Sequence, residues 1–271
     1  EVHDYPAAFE VIVGTILSGM FNDGKINPVV IAQAGQFAEN VYFGKPCGLM
    51  DQMACSVGGM VHIDFKNPEE PAVEKVPSDF EAYQYSLCIV DTKASHADLT
   101  DDYAQIPADM KKVAKFFKKD FLRAVPEEEF YDQISAMRGL LGDRPVLRAI
   151  HFMEEETRVQ KEVDSLRAGD FKEFLELVKE SGNSSFKYLQ NVYTTNDLNQ
   201  QAVSVALAGS DRILGKHGVC RVHGGGFAGT IQAFVENDFV EEYKRRMDKV
   251  FGHGSCQVLK VRQKGGVKVL G

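Results

Sequence analysis

The 271 residues predict an α+β fold in two parts, and three observations carry that reading. Helical periodicity dominates from Pro107 to about Asn191, the tail reads as β-loop-β-α-β, and a polar, proline-bearing stretch near Asp79 to Tyr85 separates two differently patterned segments. Residues 1–82 are expected to form an incomplete N-terminal part. Residues 83–271 are expected to form a helix-rich C-terminal part on an antiparallel sheet.

In order along the chain, Phe9, Ile12, Val13, Ile16, Leu17 and Met20 recur at a helical period, so the chain is expected to open in a buried helix. Asn27-Pro28 supplies an N-cap and a first-turn proline for a helix over Val29 to Phe43, which Gly44 ends. Met60 to Phe65 alternates like a strand, and the Pro- and Glu-rich run Lys66 to Asp79 reads as a surface loop. Tyr85 to Val90 is a buried strand leading into a polar segment, Asp91 to Tyr103. Helix is expected again over Asp197 to Leu214. The tail then offers Val219 to Val222, a Gly-rich loop, Thr230 to Val235, a helix around Phe239 to Val250, and Gln257 to Arg262.

Composition removes several function classes. Hydrophobic residues make up 44% of the chain, enough for a full core, and a net charge of −8 argues against a protein held to nucleic acid by phosphate neutralisation. No run approaches the roughly 20 apolar residues of a membrane helix, and no basic segment precedes an apolar one at the start. Five cysteines, an odd number without a C-x-x-C pair, suit a reducing cytosol better than a disulfide scaffold or a zinc ribbon.

Two segments concentrate candidate chemistry. Gly224, Gly226 and Gly229 satisfy G-x-G-x-x-G, but Thr230 to Val235 looks like a strand, so the dinucleotide-binding context of strand, loop and helix is absent. What remains is a strand-loop-strand whose glycines either let the backbone approach a ligand or build a tight structural hairpin. If the loop lies against ligand, Gly226→Val should damage activity more than stability. In Pro46-Cys47-Gly48-Leu49-Met50-Asp51-Gln52, Asp51 sits in a first helical turn, where the macrodipole alone could explain it. Its apolar neighbours Leu49, Met50, Met53 and Ala54 instead suggest a carboxylate that is paired or functional. His62, His96 and His223 form no metal-ligand spacing, and Cys47 and Cys55 read as inert thiols. Lys111 to Lys119 is an amphipathic helix with a solvated basic face.

Three blocks together resemble the galactokinases, a branch of the GHMP small-molecule kinases. Ala7-Ala8-Phe9-Glu10-Val11 is similar to the helix after that family's phosphate loop. Gly44-Lys45-Pro46-Cys47-Gly48-Leu49-Met50-Asp51-Gln52-Met53 resembles the galactokinase segment carrying the catalytic aspartate, and it is the most specific of the three. Arg221-Val222-His223-Gly224-Gly225-Gly226-Phe227-Ala228-Gly229-Thr230 is similar to the family's third motif. The resemblance implies a GHMP-kinase-like architecture and transfer of a phosphoryl group from ATP, with Mg²⁺, to the anomeric hydroxyl of galactose. It implies Asp51 as catalytic residue, Gly48, Asp51 and Tyr103 as sugar contacts, and Gly224, Gly225, Gly226 and Gly229 beside the phosphates.

The family's arginine-bearing first motif and its Ser-rich phosphate loop have no match here, and no arginine precedes Arg123. The chain therefore reads as a galactokinase without its N-terminal third, and these residues alone are expected to show no turnover. A kinase for another hexose such as N-acetylgalactosamine and a non-catalytic sugar-binding relative stay open as alternatives.

Overall fold

In the computed structural model, which describes residues 6–44, 47–67, 69–94 and 99–269, three helices come first. These are α1 (Pro6–Phe21), α2 (Pro28–Phe37) running into a π-helical turn (Ala38–Tyr42), and α3 (Met50–Val57). Strands β1 (Met60–Asp64), β2 (Ala72–Val76) and β3 (Tyr85–Asp91) follow. A helical run comes next: α4 (Thr100–Phe116), α5 (Glu127–Asp132), α6 (Ile134–Leu141), α7 (Asp143–Ala168) and α8 (Phe171–Ser184). A second π-helical turn (Ser185–Leu189) precedes α9 (Ala202–Leu214), and the chain closes with β4 (Gly218–Val222), β5 (Thr230–Glu236), α10 (Val240–Phe251) and β6 (Cys256–Leu259). This is an α+β fold.

The chain divides into two compact units, one running to Ser78 and completed by the tail from Val261, the other Asp79–Lys260. The tail was expected to belong to the C-terminal part. It returns to the first unit instead, where the Gly59 N–H donates to the Arg262 carbonyl at 2.7 Å and Lys75 Nζ to the Gln263 carbonyl at 3.2 Å. Glycines permit the crossing. A Cβ on Gly265 would stand 1.8 Å from the Ser56 carbonyl oxygen, and one on Gly58 would stand 2.2 Å from the Gly265 nitrogen.

Within the first unit the Asn27 side chain caps α2 by accepting from the Val29 N–H at 2.9 Å. Ala32, Leu49 and Met53 form its small core. Helix α1 forms as expected but is not a buried helix. Only Ala7, Val11 and Ser18 are buried, while Phe9, Ile12, Ile16 and Met20 are exposed. The stretch read as a surface loop contains β2, which pairs antiparallel with β1 from Met60↔Val76 to Asp64↔Ala72. Its Ala-Val-Glu-Lys-Val pattern, mostly exposed, carries too little hydrophobic alternation to announce a strand.

The second unit is built on an antiparallel sheet of order β4-β5-β3-β6. Strand β5 is buried on both faces, as a central strand should be. Ile231, Ala233 and Val235 join a core with Val203, Ala206 and Leu214 of α9 and Val240, Tyr243 and Met247 of α10. Phe234 faces the other way, its ring 5.2 Å from Phe80 and 5.4 Å from Phe174. A further layer packs α4, α5, α6 and α7 around Val113, Phe130, Met137 and Ala149. Helix α4 begins inside the segment read as polar loop, and Pro107 sits within it rather than at a start.

Beside β4, α7 and α8 enclose a polar cluster. Arg221 donates to Ser181 Oγ at 2.6 Å, Ser181 donates to Glu155, Glu155 pairs with Arg158, and His151 Nδ1 lies 2.9 Å from Ser184 Oγ. Burial, and then the charge of Glu155, pushes Glu162 up to about 7, and its Oε1 has no hydrogen-bond partner among the described residues. Burial holds His151 down at about 4.

Gly265→Ala should destabilise the protein by about 1–3 kcal/mol in chemical denaturation, whereas Gly209→Ala in α9, where a Cβ meets nothing within 4 Å, should stabilise it by about 0.5–1 kcal/mol. Equal effects would refute the crossing. Glu162 binds its proton more tightly when folded, so its contribution is present below 4.5 and lost as pH rises through about 7. Glu162→Gln should therefore leave stability unchanged near pH 4 and raise it by about 3 kcal/mol at pH 8. A gain independent of pH would contradict the assignment.

Candidate active site

In the first unit the candidate centre is the start of α3. Leu49, Gln52, Met53 and Ser56 are buried, and this spacing of three and four defines the inward face of the helix. Asp51 falls on the opposite face and is exposed, which corrects the expectation of an apolar setting. Its neighbours in sequence are apolar, but Leu49 and Met53 point away from it. Among the described residues its carboxylate has no hydrogen bond, so it is free to meet a ligand. Gly48 is exposed too, with nothing within 4 Å of where a Cβ would stand. Lys45 and Pro46 of the same block lie outside the described residues, as does His96.

The rotation of α3 is set by Gln52. Its buried Nε2 donates to Glu10 Oε2 of α1 at 3.2 Å and to Glu39 Oε2 of the π-helical turn at 3.1 Å, tying three helical segments together. The backbone ahead of Gly48 is fixed by Asn40, whose Oδ1 accepts from the Cys47 N–H at 2.7 Å. Burial and the neighbouring Glu39 push the Cys47 thiol up to about 11, and burial, with Asp51 adding to it, raises Cys55. Both are poor nucleophiles, since attack needs the thiolate.

In the second unit the Gly-rich loop joins β4 to β5. Gly224 (φ +64°) and Gly226 (φ +83°) lie in the left-handed region and Gly225 between them does not. Such alternation turns successive N–H groups toward one side, the geometry of an anion-binding nest. The amides of Gly224, Gly225 and Gly226 make no hydrogen bond among the described residues. The carbonyls are held instead. Tyr103 Oη donates to the Gly226 carbonyl at 2.9 Å, and Asn191 Nδ2 to that of Gly225 at 3.3 Å. Gly229 at the far end accepts from both the Thr92 N–H at 2.9 Å and its hydroxyl at 2.7 Å. The loop thus commits the carbonyls of Gly225, Gly226 and Gly229 to protein donors and leaves the amides of Gly224, Gly225 and Gly226 uncommitted among the described residues.

Gly226 has a structural reason of its own. A Cβ there would stand 1.8 Å from the Asn191 carbonyl oxygen, so the close approach is to protein rather than to open space. Gly226→Val should therefore cost stability as well as any activity, so this position alone does not separate a ligand contact from a structural role. Tyr103, half-buried, is set edge-on to Phe227 with ring centroids 5.4 Å apart. His223 is exposed and lies 2.9 Å from Gln232 Oε1. Asn191 was missed from the sequence, where it marks only the end of a helical stretch.

No protein-family profile matches the chain. Curated relatives do. The galactokinase of Mannheimia succiniciproducens is 31% identical over 242 residues, which cover 88% of this chain and 59% of that protein. For the galactokinase of Glaesserella parasuis the identity is 28%, with the same two coverages. The chain spans about 59% of the length of such relatives. Among solved structures, Lactococcus lactis galactokinase complexed with galactose superposes with a TM-score of 0.75 at 23% identity, over 96% of this chain and 66% of that one. L. major mevalonate kinase in complex with R-mevalonate gives 0.58 at 14% identity, over 96% and 66%. The likeness to these two is one of fold. The galactokinase of Thermotoga maritima is 30% identical over 257 residues, covering 90% of this chain and 67% of that protein, and with the fold and the two motif-bearing segments in place the chain belongs to the galactokinase family.

Proposed function

We propose that the protein phosphorylates galactose at its anomeric hydroxyl, using ATP and yielding galactose 1-phosphate. The observation that supports this most is the loop after β4, in which the amides of Gly224, Gly225 and Gly226 have no partner among the described residues while the Gly225 and Gly226 carbonyls are fastened. Backbone dipoles fixed in this way stabilise phosphate charge without reorganising during transfer. Gly224, Gly225, Gly226 and Gly229 are assigned to the phosphates. Asp51 is assigned to the sugar hydroxyl, which it orients or deprotonates, with the Gly48 backbone and the Tyr103 phenol as further sugar contacts.

Magnesium is the usual companion of ATP in such reactions. Among the described residues no three His, Cys, Asp or Glu side chains gather to hold a metal ion, so these residues give it no protein cage. No helix among them is long and apolar enough to cross a membrane.

Asp51→Asn in the full-length protein should lower kcat at least about 10²-fold, the scale of one positioned acid-base group, because the swap keeps shape and removes charge. The exposed position means that melting should be unaffected. Galactose-dependent ADP release that survives the substitution would remove Asp51 from the reaction, and its absence in the unmodified full-length protein would refute the proposed activity.

A paired substitution tests the loop. Gly224 has open space around it, so Gly224→Ala should cost only about 1–2 kcal/mol for its left-handed backbone, yet weaken ATP use by crowding the free amides. Gly226→Ala should instead lower the melting temperature sharply through its clash with Asn191. Normal kinetics in folded Gly224→Ala protein would take the loop away from the phosphates.

A further inference from the structure

Resting on the proposed phosphate role of the loop, we propose that Asn191 is its positioning residue. Asn191 grips both sides of Gly226: its side chain donates to the Gly225 carbonyl at 3.3 Å, and its own carbonyl accepts from the Phe227 N–H at 2.6 Å. With the Gly225 carbonyl and the Phe227 N–H so held, the peptide planes on either side of Gly226 cannot rotate independently, and the first of them carries the Gly226 amide. Phe227 itself is left-handed at φ +58°, an uncommon state for a bulky residue that persists only where its surroundings enforce it.

Asn191 is rigid for reasons that can be traced outward. It is 3% exposed and follows Gln190, a left-handed residue (φ +57°) that ends the π-helical turn Ser185–Leu189. Single π-helical turns gather at functional sites. The turn is anchored by Arg148 of α7, fully buried, whose Nε donates to the Leu189 carbonyl at 3.1 Å and whose Nη1 donates to Asp109 Oδ2 at 2.8 Å. Asp109 belongs to α4, the helix that also carries Tyr103. The two residues that hold the loop carbonyls are therefore cross-braced through one buried ion pair.

The side chain also shows where its hydrogen bonding was directed. Asn191 Oδ1 is buried and has no partner among the described residues, a defect that costs about 1–3 kcal/mol. A residue selected for stability alone would satisfy that oxygen or dispense with the amide. Asn191 does neither, and its Nδ2 is spent on the loop.

The test uses the full-length protein with Asn191→Asp, nearly isosteric, and Asn191→Leu. Asp turns an acceptor toward the Gly225 carbonyl when ionised but can donate to it again when protonated. Displacement of the loop should lower kcat/KM for ATP about 10- to 100-fold in both variants at pH 8, with KM for galactose within about twofold of wild type. Relative to wild type, Asn191→Asp should recover toward pH 6 and Asn191→Leu should not. Wild-type kinetics for ATP in either folded variant, or losses that track only the folded fraction, would overturn the proposal. If both variants fail to fold, amide exchange in the wild-type protein decides. Phe227 should exchange as slowly as β5, and exchange as fast as an open loop overturns the grip. Absence of wild-type turnover counts against the proposed reaction, and the grip is then read from ATP binding by calorimetry, weaker in both variants if it holds and unchanged if it does not.

Discussion

The close approach of Gly226 to Asn191 is the constraint around which the second unit is arranged. Only a residue without a side chain tolerates a carbonyl oxygen 1.8 Å from the Cβ position, so the contact fixes both the glycine and the path of the loop. Everything nearby serves to hold the two partners still. Strand β5, buried on both faces, sets where the loop ends. The π-helical turn, braced by Arg148 and Asp109, sets where Asn191 stands. The consequence is electrostatic: the carbonyls of Gly225 and Gly226 are committed to protein donors, which leaves their amides as uncommitted positive dipoles.

The first unit solves a comparable problem with less material. Its core is small, and α3 is oriented by a polar contact rather than by bulk, with Gln52 shared between Glu10 and Glu39. A helix rotated by one residue would bury Asp51 and expose Met53. The tail supports the same helix from its other end, where Gly58 and Gly265 cross. In both units a candidate ligand-facing group is presented by neighbours that are themselves over-determined.

Much of this was legible because it is local. The Asn27-Pro28 cap and the β-loop-β-α-β tail are written in residues close in sequence, and the motif blocks around Asp51 and Gly224 are contiguous. Asp51 was misread for an instructive reason. Apolar neighbours in sequence do not surround a helical residue, since a turn of 3.6 residues sends Leu49 and Met53 to the far face. Strand β2 was missed because a largely exposed two-stranded ribbon lacks a hydrophobic signature. The return of the tail to Gly59 and the grip of Asn191 on a loop 34 residues away are long-range contacts, and no spacing rule encodes them.

In the proposed reaction the amides of Gly224, Gly225 and Gly226 are donors to phosphate. Hydrogen exchange across residues 223–229 of the full-length protein, with and without ATP, reads this without relying on turnover. Saturating ATP should slow exchange at those three amides, with Phe227 and the β5 amides already slow and unchanged. Unaltered exchange at Gly224 to Gly226 under saturating ATP, with protection arising elsewhere in the protein, would contradict it.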